Sequence, residues 1–418
     1  MNKKEIYASI EVADHEVRLV VGEFYETRFN ILRVEKAPIQ GIEKQKIMDE
    51  QNVVNGIIKA KKQAEDALGY HIERVLAAIP SVNVQRHNKK VSVVPEASSK
   101  RIRLSDIQKG LNEAVSFKPD PQLELVNIGC VKYITNGITS RNMPIDETAE
   151  VLIMNVDLLY ADKEVVYAYA RCIEKAGLEI LDVCLDSYAM ANEAAVFEQT
   201  VDKYVIQIDL ARDHTTLSLF THGKLVNCEV IEDGYGVWLQ DLIEQYHLSS
   251  NVSYRLAQNT CTFDADSAKD QIIYIWSKSG EQKQISEKQA CEAIVPYVKS
   301  WLNMINETCA PIIESGDVRY LLSGEGCEIP SLQELLRYLN APAQIYVPQT
   351  IGVRDCSYVT CLGLFYSWRE QMAIRRDERV CCNPQEVEET MDTVTKKSSV
   401  DEEGGFTRKL KSILLSDK

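Results

Sequence analysis

Two spacings in this chain carry chemistry, and the first lies near its end. The segment GGFTRKLKSILLSDK opens on Gly404 and Gly405, a flexible joint, and then sets Phe406, Leu410, Ile413 and Leu414 on one helical face about 100° wide. Arg408, Lys409 and Lys411 take the flanks and the opposite side. An apolar stripe edged by cations is the plan of a helix that lies in the interface of an anionic bilayer. Burying four such side chains yields on the order of 1.5 to 3 kcal/mol each before the cost of ordering so short a segment. Single tails should therefore bind weakly and reversibly, and tails linked by assembly should bind firmly. The competing reading is a helix docked on the protein's own surface, or no helix at all.

The second spacing is a pair of acids. IEVADH from Ile10 and IDLARDH from Ile208 each place a carboxylate, Glu11 or Asp209, at the end of an apolar strand. Around each, the elements that must position it repeat. Period-two patterning predicts strands over 7–12, 17–23 and 28–36, a helix over 50–68 ended by Gly69, and a strand over 74–79. The same grammar returns as strands over 204–209, 215–220 and 224–231, followed by helices, so the chain reads as starting over. Between the two openings, from about 82 to 176, lies a segment of its own. Strands are expected there over 90–95, 123–135 and 149–157, with a helix over 105–116 capped by Ser105 and another over 162–176 closed by Gly177.

Downstream, helices are expected over 236–246 and 251–258, a strand over 272–276, and a long helix from 286 to about 315. A strand over 320–322, a tight Gly-Glu-Gly turn, a helix over 332–339, a strand over 343–347 and a helix over 358–368 complete the folded part. Polar, weakly periodic residues from 370 to 403 read as a linker.

Composition narrows the class. At 418 residues, 45% hydrophobic and 26% charged, the chain is long enough for two or more cores. Its N-terminus lacks the continuous apolar stretch of a signal peptide, and no apolar run is long enough to span a bilayer. The twelve cysteines fall singly apart from Cys381 and Cys382, without metal-ligand spacing, and read as reduced thiols of a cytosolic protein. A formal charge of −15 argues against nucleic acid as a partner.

The order of the short motifs resembles the bacterial cell-division protein FtsA family. EVADHEV at 11–17, DLARDHTT at 209–216 and SGEGCEIPS at 323–331 stand where that family carries its two phosphate motifs and its adenine-side turn. GIEKQKIMD from Gly41, GYGVWLQDL from Gly234 and PQTIGVRDCSYVTCLGL at 348–364 extend the resemblance over nearly the whole chain. It implies an α/β chain of the actin-like (ribonuclease H-like) two-domain fold. Its parts would be a first subdomain of 1–81 plus 177–200, onto which a helix at 357–368 packs back, and an inserted SHS2-like subdomain at 82–176. A second subdomain of 201–231 plus 301–369, a small subdomain at 232–300, the linker 370–403 and a membrane helix at 404–418 would complete it.

The same resemblance implies a scaffold that binds the C-terminal peptide of the tubulin-like protein FtsZ, other division proteins, anionic lipid and its own copies. It would sit on the cytoplasmic face of the cell membrane at the division site. The small subdomain would receive the peptide beside Lys288, Tyr297, Lys299 and Trp301, although Tyr297 stands in place of the family's Arg. For Tyr297 and Trp301, core packing is the plainer alternative. ATP with Mg²⁺ would lie among Glu11, Ala13, Asp14, His15, Asp209, Ala211, Arg212, Asp213, His214, Thr215, Gly324, Glu325 and Gly326, with Glu11 and Asp209 as the metal-facing acids.

Departures from the family pattern weigh against efficient hydrolysis. Ala13, Ala211, Arg212 and Asp213 replace glycines that let amides approach phosphate, and Asp14 brings a carboxylate where a small hydroxyl is expected. Tyr254 and Ala257 replace the Glu and Lys of the adenosine-side helix. No residue is assigned a catalytic role, and nucleotide binding stays open. A pilus-assembly platform of the PilM type, or a metabolic kinase of the same superfold, are the alternatives.

Overall fold

The computed structural model describes residues 4–390 apart from 27, 97, 98, 265, 279 and 376. Two five-stranded sheets carry the repeat foreseen in the sequence. The first runs in the order Glu179–Leu185, Arg74–Ile79, Glu5–Val12, Glu16–Tyr25, Arg28–Pro38. The second runs Lys224–Ile231, Thr215–Thr221, Tyr204–Leu210, Val318–Ser323, Ala343–Ile345, which is the same arrangement listed from its other edge. In each, the opening strand is central. It pairs antiparallel with the next strand of the meander and parallel with a strand that returns after a helix.

Central strands buried on both faces need near-continuous apolar sequence, and EIYASIEV and YVIQIDL supply it. The helix Glu50–Leu68 starts where Asp49 accepts a hydrogen bond from the Asn52 N–H at 3.0 Å and stops at Gly69 with φ 81°. Val53, Ile57, Ala60 and Ala64 form its buried face. The last helix, Val359–Arg375, returns from the second half to cover the first sheet. It crosses the Asp186–Glu193 helix so closely that a Cβ on Gly363 would stand 1.8 Å from the Ala189 carbonyl oxygen.

Residues between the halves of the first sheet build a separate four-stranded sheet, ordered Gln85–Val93, Leu152–Asp162, Leu123–Thr135, Ile138–Ser140. The helix Leu104–Val115 packs on it through Ile107 and Leu111. Ser105 is not that helix's cap, as the sequence had suggested. The Asp106 carboxylate accepts the Arg103 N–H at 2.8 Å instead, which moves the start one residue earlier. The strands expected over 90–95 and 149–157 are displaced to Gln85–Val93 and Leu152–Asp162, because these long antiparallel partners pair over nine residues.

Two other expectations change. The helix foreseen over 236–246 breaks into Tyr235–Trp238 and Gln240–Glu244. The polar stretch from 370 is not a linker throughout. It lengthens the last helix to Arg375, then crosses the base of the first sheet, where the Cys381 N–H donates to Ile6 O and Cys381 O accepts from the amides of Glu73 and Arg74. Cys381 and Cys382 are buried in the first core, residues 384–390 are helical, and the Thr390 hydroxyl donates to Gly69 O at 3.1 Å. Polar composition hid this strap because only three of its described side chains, Cys381, Cys382 and Val387, are buried.

Among the described residues no helix is long and apolar enough to cross a membrane. A chain ended after Arg375 should melt about 4 °C or more below one ended after Thr390, because Ile6 and Tyr70 lose their cover. Differential scanning fluorimetry of the two truncations checks this.

Candidate functional site between the two halves

Both opening hairpins point into one cleft, and this places the residues of the two phosphate-type motifs face to face. Their side chains do not stand apart around an open space. The Asp14 carboxylate, from the turn of the first hairpin, accepts the Asp213 N–H and the His214 ring N–H of the second, each at 3.0 Å. The other ring nitrogen of His214 lies 2.7 Å from the side-chain amide of Gln45. A protonated ring donates from both nitrogens, so Gln45 must turn its oxygen towards it.

Beside this pair lies a larger network around Arg18. This arginine interrupts the apolar run VRLVV of the strand Glu16–Tyr25, and its side chain is only 7% exposed. A charge buried so completely must be compensated. Its guanidinium reaches Glu16 at 2.7 Å, Glu11 at 3.3 Å and Glu325 at 3.2 Å, and donates to Ser357 O at 3.0 Å. Glu325 also takes His15 Nε2 at 3.2 Å. Lys36 closes the outer side, 3.4 Å from Glu16 and 2.9 Å from the Ser357 hydroxyl.

These contacts set the ionisation of the cleft. Burial alone would depress His214, but the Asp14 charge and hydrogen bond raise it to about 9. Asp14 is lowered despite its burial, chiefly by His214. Against burial, the His15 hydrogen bond and the Arg18 charge hold Glu325 at about 2. Asp209 goes the other way, pushed up to about 7 by burial and by the charges of Asp186 and Glu11, and burial raises Glu11 as well.

The remaining motif residues are also engaged. The Thr215 hydroxyl donates to Asp233 O at 2.6 Å and accepts the Trp301 indole N–H at 2.9 Å, so it does not face the cleft as a free phosphate donor. The amides of Tyr235 and Gly236 donate to Ala211 O and Arg212 O. Gly324 has φ 91°, and a Cβ there would stand 2.3 Å from an Asp209 carboxylate oxygen. Gly326 packs on Leu210. On the adenosine side the Tyr254 hydroxyl donates to Glu325 O at 3.2 Å, and its ring lies 5.1 Å from that of Tyr235.

What space is left, bounded by His15, Arg212, Tyr235, Tyr254 and Glu325, is about 60 Å³. Small-molecule sites begin at roughly 300 Å³. The described residues hold one group with metal-ligand spacing, His15, Glu16 and Glu325, and it includes neither Glu11 nor Asp209. Arg18 already pairs with both of its carboxylates, so a cation there would meet a fixed positive charge. In this arrangement the residues do not fit a Mg²⁺-nucleotide.

The small subdomain requires one correction. Trp301 is 2% exposed and bonded to Thr215, so it belongs to the second core and cannot face a surface peptide. Tyr297 is half-buried with its hydroxyl on Asp241 at 2.9 Å, whereas Lys288 and Lys299 are exposed. Phe406, Arg408, Lys409, Leu410, Lys411, Ile413 and Leu414 lie outside the described residues. The signal missed in the sequence was Arg18, a lone cation inside an apolar strand.

Twin meander sheets whose hairpins meet across one cleft, with a helix returning from the second half to the first, define the actin-like ATPase fold. No protein-family model matches the chain. Its fold is similar to that in the PilM–PilN type IV pilus biogenesis complex, at TM-score 0.56 and 13% identity over 87% of this chain and 98% of that one. It is also similar to MreB5 of Spiroplasma citri, solved bound to ADP, at TM-score 0.52 and 10% identity over 89% of this chain and 99% of that one. In sequence the chain is similar to the cell division protein FtsA of Bacillus subtilis, 27% identical over 371 residues, which cover 87% of this chain and 83% of that protein.

The shifted groups set a pH dependence. The His214 contribution is complete below its ordinary value near 6.5 and is lost as pH rises through about 9. That of Glu325 is present above its ordinary 4.5 and lost as pH falls towards 2. Asp209, raised to about 7, costs stability as pH climbs towards neutrality. His214→Asn should therefore flatten the fall in stability between about pH 6.5 and 9 by on the order of 3 kcal/mol, read by urea unfolding at the two pH values. An undiminished slope would contradict the assignment.

Proposed function

We propose that this chain is a cell-division scaffold that tethers FtsZ filaments to the inner face of the cytoplasmic membrane and assembles with its own copies into actin-like filaments. The observation that carries the reading is its similarity to a cell division protein named FtsA, sustained over 371 residues. The inserted four-stranded sheet lies after the first helix and strand of the first half, where an SHS2-like subdomain is expected in such a scaffold.

Assigned by position, the exposed Lys288 and Lys299, which share one face of the helix Glu287–Ile313, are the cations offered to the FtsZ peptide, whereas Tyr297 turns to Asp241 on another side of that helix. Other division proteins would attach to the same body. The tail carrying Phe406, Leu410, Ile413 and Leu414, with Arg408, Lys409 and Lys411, is the membrane contact. Any Mg²⁺ bound at Glu11 and Asp209 would require the cleft to rearrange.

A scaffold needs no turnover, and the engaged Thr215 and the charged loops favour it over a metabolic kinase. A pilus platform of the PilM type shares the fold but has no need of a basic amphipathic tail.

Co-sedimentation with anionic vesicles separates these readings. The full chain should pellet, while a version ending at Glu403 and the double variant Leu410→Glu with Ile413→Glu should lose most of that binding. Equal pelleting of all three would remove the tether.

A further inference from the structure

We propose that the chain's own charges hold this cleft closed in place of a bound nucleotide. Two crossings between the halves carry the proposal. In the first, Asp14 Oδ2 receives the Asp213 N–H and His214 Nδ1 at 3.0 Å each, so two donors of the second hairpin converge on a carboxylate oxygen as they would on a phosphate oxygen. In the second, Arg18 and His15 of the first half both reach Glu325 of the second at 3.2 Å.

A phosphate chain would find little else to bind. The amides of Tyr235 and Gly236 already donate to Ala211 O and Arg212 O, and the Thr215 hydroxyl to Asp233 O. Entering phosphates would also have to displace the Asp14 carboxylate and settle beside the buried Glu325 carboxylate, which Arg18 and His15 hold ionised. Tyr254 packs its ring, tilted, against Tyr235 on the side where a base would enter. Closure is thus a property of the sequence. If the scaffold reading of the preceding section holds, assembly responds to concentration and to the membrane, not to ATP turnover. The latch itself does not depend on that reading.

Hydrogen–deuterium exchange of the full chain tests it on three samples: the unaltered protein with and without millimolar MgATP or MgADP, Asp14→Asn, and Glu325→Gln. Exchange over 209–216 and 323–327 should stay within about twofold when nucleotide is added to the unaltered protein. Both variants should raise exchange over the same segments about tenfold, while 85–93 and 152–162 of the inserted sheet stay protected and report an intact fold. Strong protection of the cleft by MgATP would overturn the proposal, as would variants whose cleft exchanges no faster than before. Should either variant fail to fold, the nucleotide arm on the unaltered chain still decides.

Discussion

Arg18 is the constraint from which the cleft follows. A guanidinium inside an apolar strand cannot stay there unpaired, since removing one partner from a buried ion pair costs about 3–5 kcal/mol. Glu11 and Glu16 meet it from the first half, and Glu325 from the second. Because Glu325 sits in the tight turn after the strand Val318–Ser323, satisfying Arg18 fixes the distance between the two sheets. The Asp14–His214 pair repeats the crossing one hairpin turn away.

The halves also meet elsewhere. The Tyr346 hydroxyl donates to Glu193 O at 2.9 Å, and Lys224 reaches Asp157 of the inserted sheet at 2.7 Å. Asp157 in turn accepts from Arg86 and Asn88. The inserted subdomain is therefore braced against the second half as well as built into the first. Joined at several places, the body is braced against the opening that admission of a substrate on every cycle would require.

Much of the frame was legible. Repetition of an apolar strand ending in an acid, first in IEVADH and then in IDLARDH, announced the two sheets, and Gly69 and Ser286 marked helix ends that the structure keeps. Long antiparallel pairing shifted the inserted strands, and local propensity could not reveal the strap that buries Cys381 and Cys382. In the cleft, the substituted glycine positions showed that the phosphate loops were altered. What replaced the phosphate contacts stayed hidden, because the partners of Arg18 and Asp14 are brought together only by the fold, Asp14 and His214 being 200 residues apart in sequence. Trp301 was misplaced for a related reason. An aromatic at helical spacing reads alike whether it faces a peptide or a buried threonine.

A double-mutant cycle on Arg18→Met and Glu325→Gln, measured by equilibrium unfolding, tests most directly whether one buried network joins the halves. The structure predicts a coupling of about 2 kcal/mol or more between the two changes. Effects that add to within about 0.5 kcal/mol would show that the two residues do not depend on each other, and would contradict this account of the cleft.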